Sequence, residues 1–258
     1  MQIRNSKSLS LLLFSIITVV GASKYLAERP SYLTPCVTGD AGFNKCLASN
    51  FQTLFHQWKD GIPGTNTVGS LDPLFIKRVK FTQDPQRSIA LNADLHDVYV
   101  TGGSQSVVKE ASYDADRHVA KAVVFIPFLR FAYNYKLKGH VVALNLNGHG
   151  KGFFELQNAE VIFGFSVTPD VQGDVSFAKV DSMKVSFHKI GNFHIQLDGL
   201  FEDKELERSA NMLFNDNWRE FYEVLRPAAE QTVEGVLLDR FRKTFNYVPA
   251  NYFIKDFH

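Results

Sequence analysis

The chain has 258 residues, enough for one large domain or two small ones with a substantial apolar core. Its 28 Lys and Arg residues nearly balance its 27 Asp and Glu residues, for a formal net charge of +1, and no long run of one charge is present, which argues against a nucleic-acid-binding protein. Hydrophobic residues make up 45% of the chain, which excludes collagen-like, disordered and multispanning membrane proteins, and its 23 Phe residues are about twice the ordinary share.

The first 22 residues predict a secretory signal peptide. Arg4 and Lys7 precede a mostly apolar run over residues 9–20, and small residues follow it. This run is shorter than the roughly 20 residues that a membrane-spanning helix needs, so we expect no stable membrane anchor. We therefore expect a secreted, extracellular protein with one domain over residues 23–258.

The two cysteines, Cys36 and Cys46, stand close together in the mature chain. A secreted protein meets oxidising conditions, and Gly39 and Gly42 allow the loop between the cysteines to fold back. A metal site would need further soft ligands nearby, and the sequence has none there. We expect a disulfide, which would stabilise the fold by about 2.5–3 kcal/mol through the entropy of the unfolded chain, and no metal.

Helical spacing of apolar residues predicts a first helix with an aromatic face. Asp40 is its expected N-cap, and the Gly-Ile-Pro-Gly segment at residues 61–64 is expected to end it. The apolar face consists of Phe43, Leu47, Phe51, Leu54, Phe55 and Trp58.

From about residue 72 to residue 200, apolar and polar residues alternate. This pattern predicts an antiparallel sheet covered on one face only. Turns are expected at Gly102-Gly103, Thr168-Pro169-Asp170 and Gly191-Asn192. A long, curved meander is the simplest interpretation.

The last 45 residues or so return to helical spacing. Asn217 and Glu220 have the spacing of a capping box, and one apolar stripe continues to Phe245. Pro227 is expected to kink this helix, and Pro249 to bar its continuation. At about 1.5 Å per residue the helix would be longer than a compact domain of this size, so we expect an elongated fold.

Several features occur in a specific order: the signal peptide, a close pair of cysteines before an aromatic helix, the strand segments at residues 135–139 and 144–150, and Phe214-Asn-Asp-Asn-Trp218 opening a long helix before Pro249. In this order the chain resembles the insect takeout and juvenile-hormone-binding-protein family over about residues 30–250. A second disulfide, expected in the hormone-binding branch, has no cysteines here, so the takeout branch fits better. Juvenile hormone is therefore not assumed as the ligand.

The resemblance implies an α+β fold in which a long C-terminal α-helix is wrapped by a highly curved antiparallel β-sheet, with a short N-terminal helix. It also implies a secreted carrier, without a cofactor, that binds one small hydrophobic ligand in an internal tunnel. That ligand would be a lipid, a terpenoid or a fatty-acid-like molecule. The expected role is transport of hormones or semiochemicals, or a part in feeding or daily rhythm.

Large apolar residues on the first helix, the sheet and the long helix are the candidates for lining such a tunnel. The candidates are Phe51, Phe55, Trp58, Phe163, Phe165, Val167, Trp218, Phe221 and Leu225. Tyr133, Asn134, Tyr135 and Gln157 are candidates for the polar group that would orient a ligand.

Enzymatic interpretations find little support, and we expect no catalytic residues. The segment at residues 102–106 has the wrong spacing for a nucleophile elbow. The glycines at residues 148–152 lack the other residues of a phosphate-binding loop and are expected to turn a strand end. His188 and His194 could face each other across a hairpin, but we expect solvated surface histidines.

Two other classes of protein remain open. A membrane-docking lipid-transfer protein would need exposed apolar loop tips or a basic face, and residues 125–131 are the one segment apolar enough for such a tip. The simpler interpretation of that segment is an inward-facing strand with a proline at an edge or bulge. A signalling module without cargo, acting on an extracellular receptor, is the other alternative.

Overall fold

The computed structural model describes residues 24–83, 89–141 and 144–258, so the predicted signal peptide lies outside the described residues. Within them the chain forms helices and one sheet. The elements are α1 Phe43–Gln57, β1 Leu74–Thr82, β2 Ile89–Thr101, β3 Val107–Asp114, β4 Val119–Val141, β5 Leu144–Gln172, β6 Val175–Lys189, β7 Asn192–Leu197, α2 Lys204–Asp216 and α3 Trp218–Tyr247.

Two long strands, β4 and β5, form the centre of the sheet. They pair antiparallel from Val119 opposite Ser166 to Val141 opposite Leu144. β2 and β3 pair with successive stretches of the other edge of β4, and β7 and β6 share the other edge of β5. β1 extends the sheet beyond β2. The sheet therefore has two halves that meet in the middle of β4 and β5.

The sheet curls around α3. This helix contacts β1 and β6, which lie at opposite ends of the strand order. Next to β1, the Gln83 amide donates to the Val224 carbonyl at 2.8 Å. On the other side, the Arg242 guanidinium donates to the Val180 carbonyl of β6 at 2.8 Å. A helix reaches both outer strands only if the sheet bends around it, which confirms the predicted fold class.

Side chains of α3 also cover the free edge of β6. The Glu234 carboxylate accepts a hydrogen bond from the Val185 N–H, and the Glu230 carboxylate accepts one from the Phe187 N–H, each at 3.0 Å. An uncovered strand edge is a template for pairing with another chain, so this contact protects the sheet as well as fixing the helix.

The start of α1 differs from the prediction. Its N-cap is Gly42, without a side-chain hydrogen bond, so the assignment of Asp40 as the cap was wrong. Asp40 lies two residues before the cap, where its carbonyl accepts a hydrogen bond from the Phe43 N–H at 3.0 Å. The predicted disulfide between Cys36 and Cys46 is present, with the two Cα atoms 5.8 Å apart.

One expected turn lies inside a strand. Thr168-Pro169-Asp170 belongs to β5, where Pro169 is opposite Ala178 of β6, and the chain reverses later, at Gly173 with φ of 62°. The alternation of residues was read correctly, but Pro169 was mistaken for a turn signal because proline is usually confined to turns and edges.

The glycines at residues 148–152 also lie inside β5 and do not turn the strand. A Cβ atom at Gly150 would lie 2.0 Å from the Asp198 carbonyl oxygen, and one at Gly148 would lie 2.7 Å from the Leu200 Cα. The absence of side chains lets the segment after β7 pack directly on the strand.

Residues 125–131 form part of β4, which confirms the strand interpretation. Pro127 stands opposite Asn158 of β5, between the pairs Ile126–Ala159 and Phe128–Gln157, and the register of the two strands is unchanged on either side. Asn158 has a φ of 52°. The proline therefore lies inside the paired strands and not at a loop tip.

The possible pairing of His188 with His194 across a hairpin does not form. His188 lies in β6 and His194 in β7, and both strands pair with β5 instead of with each other. The Gly191-Asn192 turn moves the chain along the same edge of β5, from its β6 stretch to its β7 stretch.

The C-terminal helical region begins earlier than predicted and consists of two helices. Asp203 caps α2, since its carboxylate accepts hydrogen bonds from the N–H groups of Glu205 and Leu206 at 2.8 and 3.0 Å. The predicted capping box of α3 was wrong, because the Asn217 side chain donates back to the Leu213 carbonyl at 2.9 Å. α3 continues through Pro227 and ends at Tyr247, before Pro249, as expected.

Candidate functional site between α3 and the sheet

Two apolar clusters fill the space inside the curved sheet. The first lies among α1, β3 to β6 and the end of α3, and it includes Leu47 and Phe245. The second lies among β1, β2, β4, β5, β7, α2 and the start of α3, and it includes Leu137 and Phe214. Leu129 packs against both clusters, so it marks their junction.

The predicted lining residues of α1 and the sheet all belong to the first cluster. Trp58, Phe165 and Val167 are buried in it. The Trp58 indole N–H donates to the Tyr32 hydroxyl at 2.8 Å, and Phe165 packs edge-on against Phe241 with ring centroids 5.3 Å apart. The remaining three, Phe51, Phe55 and Phe163, are half-buried against the cluster.

The predicted lining residues of α3 lie apart from that group. Phe221 and Leu225 are half-buried against the second cluster, and Phe221 packs edge-on against Phe214 at 5.4 Å between centroids. Trp218 is buried and has its ring 6.4 Å from that of Phe193. The nine predicted residues thus form two groups along the interior and not one continuous wall.

α3 is less buried than a core helix of its length. Its buried residues, Trp218, Phe245 and Tyr247, lie at its two ends, and every residue between them keeps part of its surface accessible. A helix packed at ordinary protein density buries a complete stripe. The fully exposed residues of α3 form a narrow stripe along the helix. Its inward-facing apolar residues are only half-buried: Val224, Leu225, Val233, Leu237 and Phe241. The apolar face of α3 is therefore incompletely packed along its middle.

Small residues occupy the centre of this loosely packed face. Up to Leu225, large residues of α3 pack against the second cluster, and from Val233 onward they pack against the first. Ala228 and Ala229 lie between these stretches and belong to neither cluster. Their methyl groups fill less space than the large side chains on either side of them.

A small cavity lies inside the first cluster, and it is bordered by three predicted residues, Phe51, Phe165 and Val167. Its volume is about 30 Å³, whereas ligand pockets usually measure about 300–1,000 Å³. A lipid-sized ligand therefore fits only if side chains around the cavity or along α3 move apart.

The sequence analysis missed residues that border this cavity. Phe253 and Phe257, in the C-terminal tail, line it together with Tyr113. Phe253 packs edge-on against Trp58, with centroids 6.3 Å apart. Burial raises the pKa of Tyr113 to about 12, and its hydroxyl lies 2.7 Å from His118 Nδ1. The four-residue spacing of the two tail phenylalanines was the signal that could have found them.

The four candidates for an orienting polar group have different environments. The Tyr135 hydroxyl donates to the Asp198 carbonyl at 3.1 Å, and Asn134 is on the outer face of the sheet. Gln157 lies opposite Asn192 where β5 meets β7. Tyr133 is 7% exposed in the second cluster, and no described residue hydrogen-bonds its hydroxyl. Burial raises the pKa of Tyr133, so its hydroxyl is a neutral donor.

The interior as a whole offers aromatic and aliphatic surface with few polar groups, an arrangement suited to binding apolar molecules by burial. In the ranges that the structure describes, no three His, Cys, Asp or Glu side chains lie together as a metal site would require. No described helix is both long enough and apolar enough to cross a membrane.

Comparisons with known proteins agree with this architecture. The crystal structure of Epiphyas postvittana Takeout 1 matches with a TM-score of 0.71 at 19% identity, over 83% of this chain and 96% of that chain, a likeness of fold. The crystal structure of lipopolysaccharide binding protein matches more weakly, with a TM-score of 0.34 at 10% identity, over 79% of this chain and 40% of that chain. No curated protein sequence matches the chain significantly.

A family model with the description "Haemolymph juvenile hormone binding protein (JHBP)" matches residues 11–255. This range includes both cysteines, all seven strands and all three α-helices described above. Because the match extends over nearly the whole sequence, the chain belongs to the haemolymph juvenile hormone binding protein family.

Proposed function

We propose that the protein is a secreted carrier that holds one small hydrophobic ligand between α3 and the concave face of the sheet. The observation that carries this proposal is the half-buried apolar face of α3. Apolar surface that the protein does not fill itself gains free energy when an apolar molecule covers it. Membership of a family named for hormone binding in haemolymph supports the same function.

The ligand class that suits this interior is a lipid, a terpenoid or a fatty-acid-like molecule. Burial of a few hundred Å² of ligand surface at about 25 cal/mol per Å² supplies several kcal/mol before the cost of association. We propose as the ligand-lining residues those predicted from the sequence: Phe51, Phe55, Trp58, Phe163, Phe165, Val167, Trp218, Phe221 and Leu225.

Tyr133 is the group that we propose to orient the ligand. Tyr133 is buried among the apolar side chains of the second cluster, and its hydroxyl forms no hydrogen bond with any described residue. A ligand oxygen that accepts a hydrogen bond from this hydroxyl would contribute about 0.5–1.5 kcal/mol. The preferred ligand therefore has an apolar body and an oxygen acceptor.

The secreted location rests on the predicted signal peptide and on the disulfide, which is stable under extracellular conditions. An extracellular carrier of this kind would serve transport of hormones or semiochemicals, or feeding or daily rhythm.

The proposal is tested by blocking the space beside α3. Val233 packs half-buried against the first cluster, whereas Gln231, two residues earlier, is on the exposed stripe of the same helix. The purified mature protein is titrated with a fluorescent fatty acid, cis-parinaric acid, as wild type, Val233→Trp and Gln231→Trp. A tryptophan at position 233 occupies the ligand space, so we expect about a tenfold loss of affinity, equal to about 1.4 kcal/mol.

Gln231→Trp is the matched control and is expected to bind within about twofold of wild type, because its ring remains in solvent. Urea unfolding of both variants verifies that they are folded. Equal affinities for all three folded proteins, or no uptake by wild type, would contradict the proposed site.

A further inference from the structure

The outer face of the sheet carries a concentration of positive charge. In the half formed by β1, β2, β4 and β5, the register aligns the outward residues in rows across all four strands. Three successive rows are Thr82–Asn92–Lys138–Asn147, Lys80–Asp94–Lys136–His149 and Arg78–His96–Asn134–Lys151. These rows contain five Lys or Arg residues and one carboxylate.

That carboxylate is already engaged. Asp94 accepts hydrogen bonds from Arg78 and lies 3.1 Å from His96 Nε2. The other four cations, called here the lysine face, are all exposed: Lys80, Lys136, Lys138 and Lys151. In the part of the chain that the structure describes, none of the four forms an ion pair with a carboxylate.

The margins of the lysine face carry carboxylates. Asp97 is exposed where the pairing of β2 with β4 shifts register, and its carboxylate accepts a hydrogen bond from the Asn134 amide at 3.3 Å. Asp198 follows β7, and its N–H donates to the Lys151 carbonyl at 2.9 Å. The excess of positive charge is therefore local, in a chain whose net charge is only +1.

A row of aromatic side chains borders the lysine face on the same surface. Phe75 and Tyr99 are opposite each other on β1 and β2, are 46% and 48% exposed, and have ring centroids 5.0 Å apart. The same row continues through Ala132 to Phe153. Exposed rings that lie next to one another form a contiguous apolar patch, and such patches mark places of contact.

We propose that this surface docks on an anionic lipid membrane. Membrane-surface proteins combine basic residues, which are attracted to acidic headgroups, with aromatic rings, which occupy the interfacial region. The lysine face extends over neighbouring strands about 4.8 Å apart, so it covers an area and not a line. A planar array of headgroups matches that area better than a single polyanionic chain, which would follow one row of cations.

Membrane docking is a property separate from the carrier function, and the proposed docking surface would exist whether or not the protein carries a ligand. If the carrier function also holds, docking brings the protein to the phase in which apolar molecules are dissolved. The ligand site and the lysine face are on opposite sides of the same strands, so ligand uptake and membrane binding can be measured separately.

The test is co-sedimentation of the purified mature protein with vesicles. One set contains phosphatidylcholine with about 30% phosphatidylserine, and the other contains phosphatidylcholine alone. Each lysine near an anionic surface raises binding about fivefold. The double variant Lys136→Gln/Lys138→Gln is thus expected to bind the anionic vesicles about 25-fold more weakly than wild type.

The matched control is Lys45→Gln/Lys121→Gln, which removes the same charge from exposed positions on α1 and on the other half of β4. It is expected to bind within about twofold of wild type, since surface charges more than a Debye length of about 10 Å away contribute little. Phe75→Ser/Tyr99→Ser is expected to weaken binding as well, because it removes the aromatic contact.

Three results would overturn the proposal: no preference of wild type for anionic vesicles, an equal loss in the Lys136/Lys138 variant and its control, or lysine-dependent retention on heparin without vesicle binding. The last result would assign the face to sulfated polysaccharides. Cis-parinaric acid uptake in vesicle-free solution, measured on the same proteins, reports on the carrier function alone, so failure of one proposal is distinguished from failure of the other.

Discussion

The Asn211 side chain pairs with the main chain of Leu197 as a neighbouring β-strand would. Its Oδ1 accepts a hydrogen bond from the Leu197 N–H at 2.9 Å, and its Nδ2 donates to the Leu197 carbonyl at 3.0 Å. Asn215 exchanges the same two hydrogen bonds with Ile195, both at 2.8 Å. Four residues of helix rise about 6 Å and two residues of strand about 6.8 Å, so the spacings match. α2 thereby closes the free edge of β7.

Replacement of Asn211 is therefore expected to destabilise the fold. Asn211→Ala leaves the buried N–H and carbonyl of Leu197 without partners, at about 1–3 kcal/mol for each group that water does not reach. We expect a loss of about 2–4 kcal/mol in the free energy of unfolding, measured by urea denaturation. Ser209→Ala, at an exposed position of the same helix, should change it by less than about 0.5 kcal/mol. Similar values for both variants would show that the edge contact is not important.

Glu207 gives a prediction on pH. Its carboxylate accepts hydrogen bonds from Lys204 at 2.8 Å and from the N–H groups of Gly199 and Leu200 at 2.6 and 2.9 Å. The hydrogen bond from Lys204, followed by those from the two N–H groups, lowers the pKa of Glu207 despite its burial. A lowered pKa means that the ionised form stabilises the fold above the unfolded value, about 4.3, and that this contribution is lost as pH falls through the folded value.

Wild type should thus exceed Glu207→Gln in unfolding free energy by about 1–3 kcal/mol at neutral pH, and by progressively less as pH falls below about 4. The measurement is urea denaturation at a series of pH values. Glu205→Gln is the control, because the Glu205 side chain is 89% exposed. A gap between wild type and Glu207→Gln that stays constant or widens toward acid pH would refute the assigned role.

Tyr133 and Tyr135 should respond differently to loss of the hydroxyl group. Tyr133→Phe removes a hydroxyl without a described partner, so affinity for cis-parinaric acid should fall about three- to tenfold while stability is kept. Tyr135→Phe breaks the hydrogen bond to Asp198, so stability should fall by about 1 kcal/mol while affinity is kept. Ligand titration and urea denaturation of both variants check the contrast. If Tyr133→Phe left affinity unchanged, another group would have to orient the ligand.

The disulfide supports the C-terminal tail as well as α1. The Cys36 N–H donates to the Phe253 carbonyl, and the Lys255 N–H donates to the Cys36 carbonyl, each at 2.8 Å. Cys36→Ser/Cys46→Ser is expected to lower the free energy of unfolding by about 2.5–3 kcal/mol. Amide hydrogen exchange should increase first at Lys255, because the tail depends on this contact. Unchanged exchange at that amide would argue against the coupling.

The sequence predicted those features that repeat along the chain. The alternation at residues 161–167 and 193–197 identified inward residues correctly, and the stripe of α3 ended near Pro249 as expected. α2 was missed because its inward face carries Glu207, Asn211 and Asn215, which bind main chain instead of filling the apolar core. In a pattern of apolar and polar residues, a polar side chain that binds the main chain looks the same as one that is exposed to solvent.

Contacts between distant segments were not predictable from local patterns. Nothing near Gly150 indicates that Asp198 packs on it, so the glycines resembled a turn. Phe253 lies in the tail but joins the cluster around Trp58, the residue that follows α1. The division of the interior into two clusters likewise depends on how α3 crosses the sheet, which periodicity does not encode.

The most direct test of the carrier function is to identify what the protein carries. The mature protein, purified after secretion from eukaryotic cells, is measured intact by native mass spectrometry, and a second sample is extracted with organic solvent and the extract analysed by mass spectrometry. We predict one apolar molecule per chain, with an oxygen acceptor, that is released on extraction. A protein that is empty and also takes up no cis-parinaric acid would contradict the account.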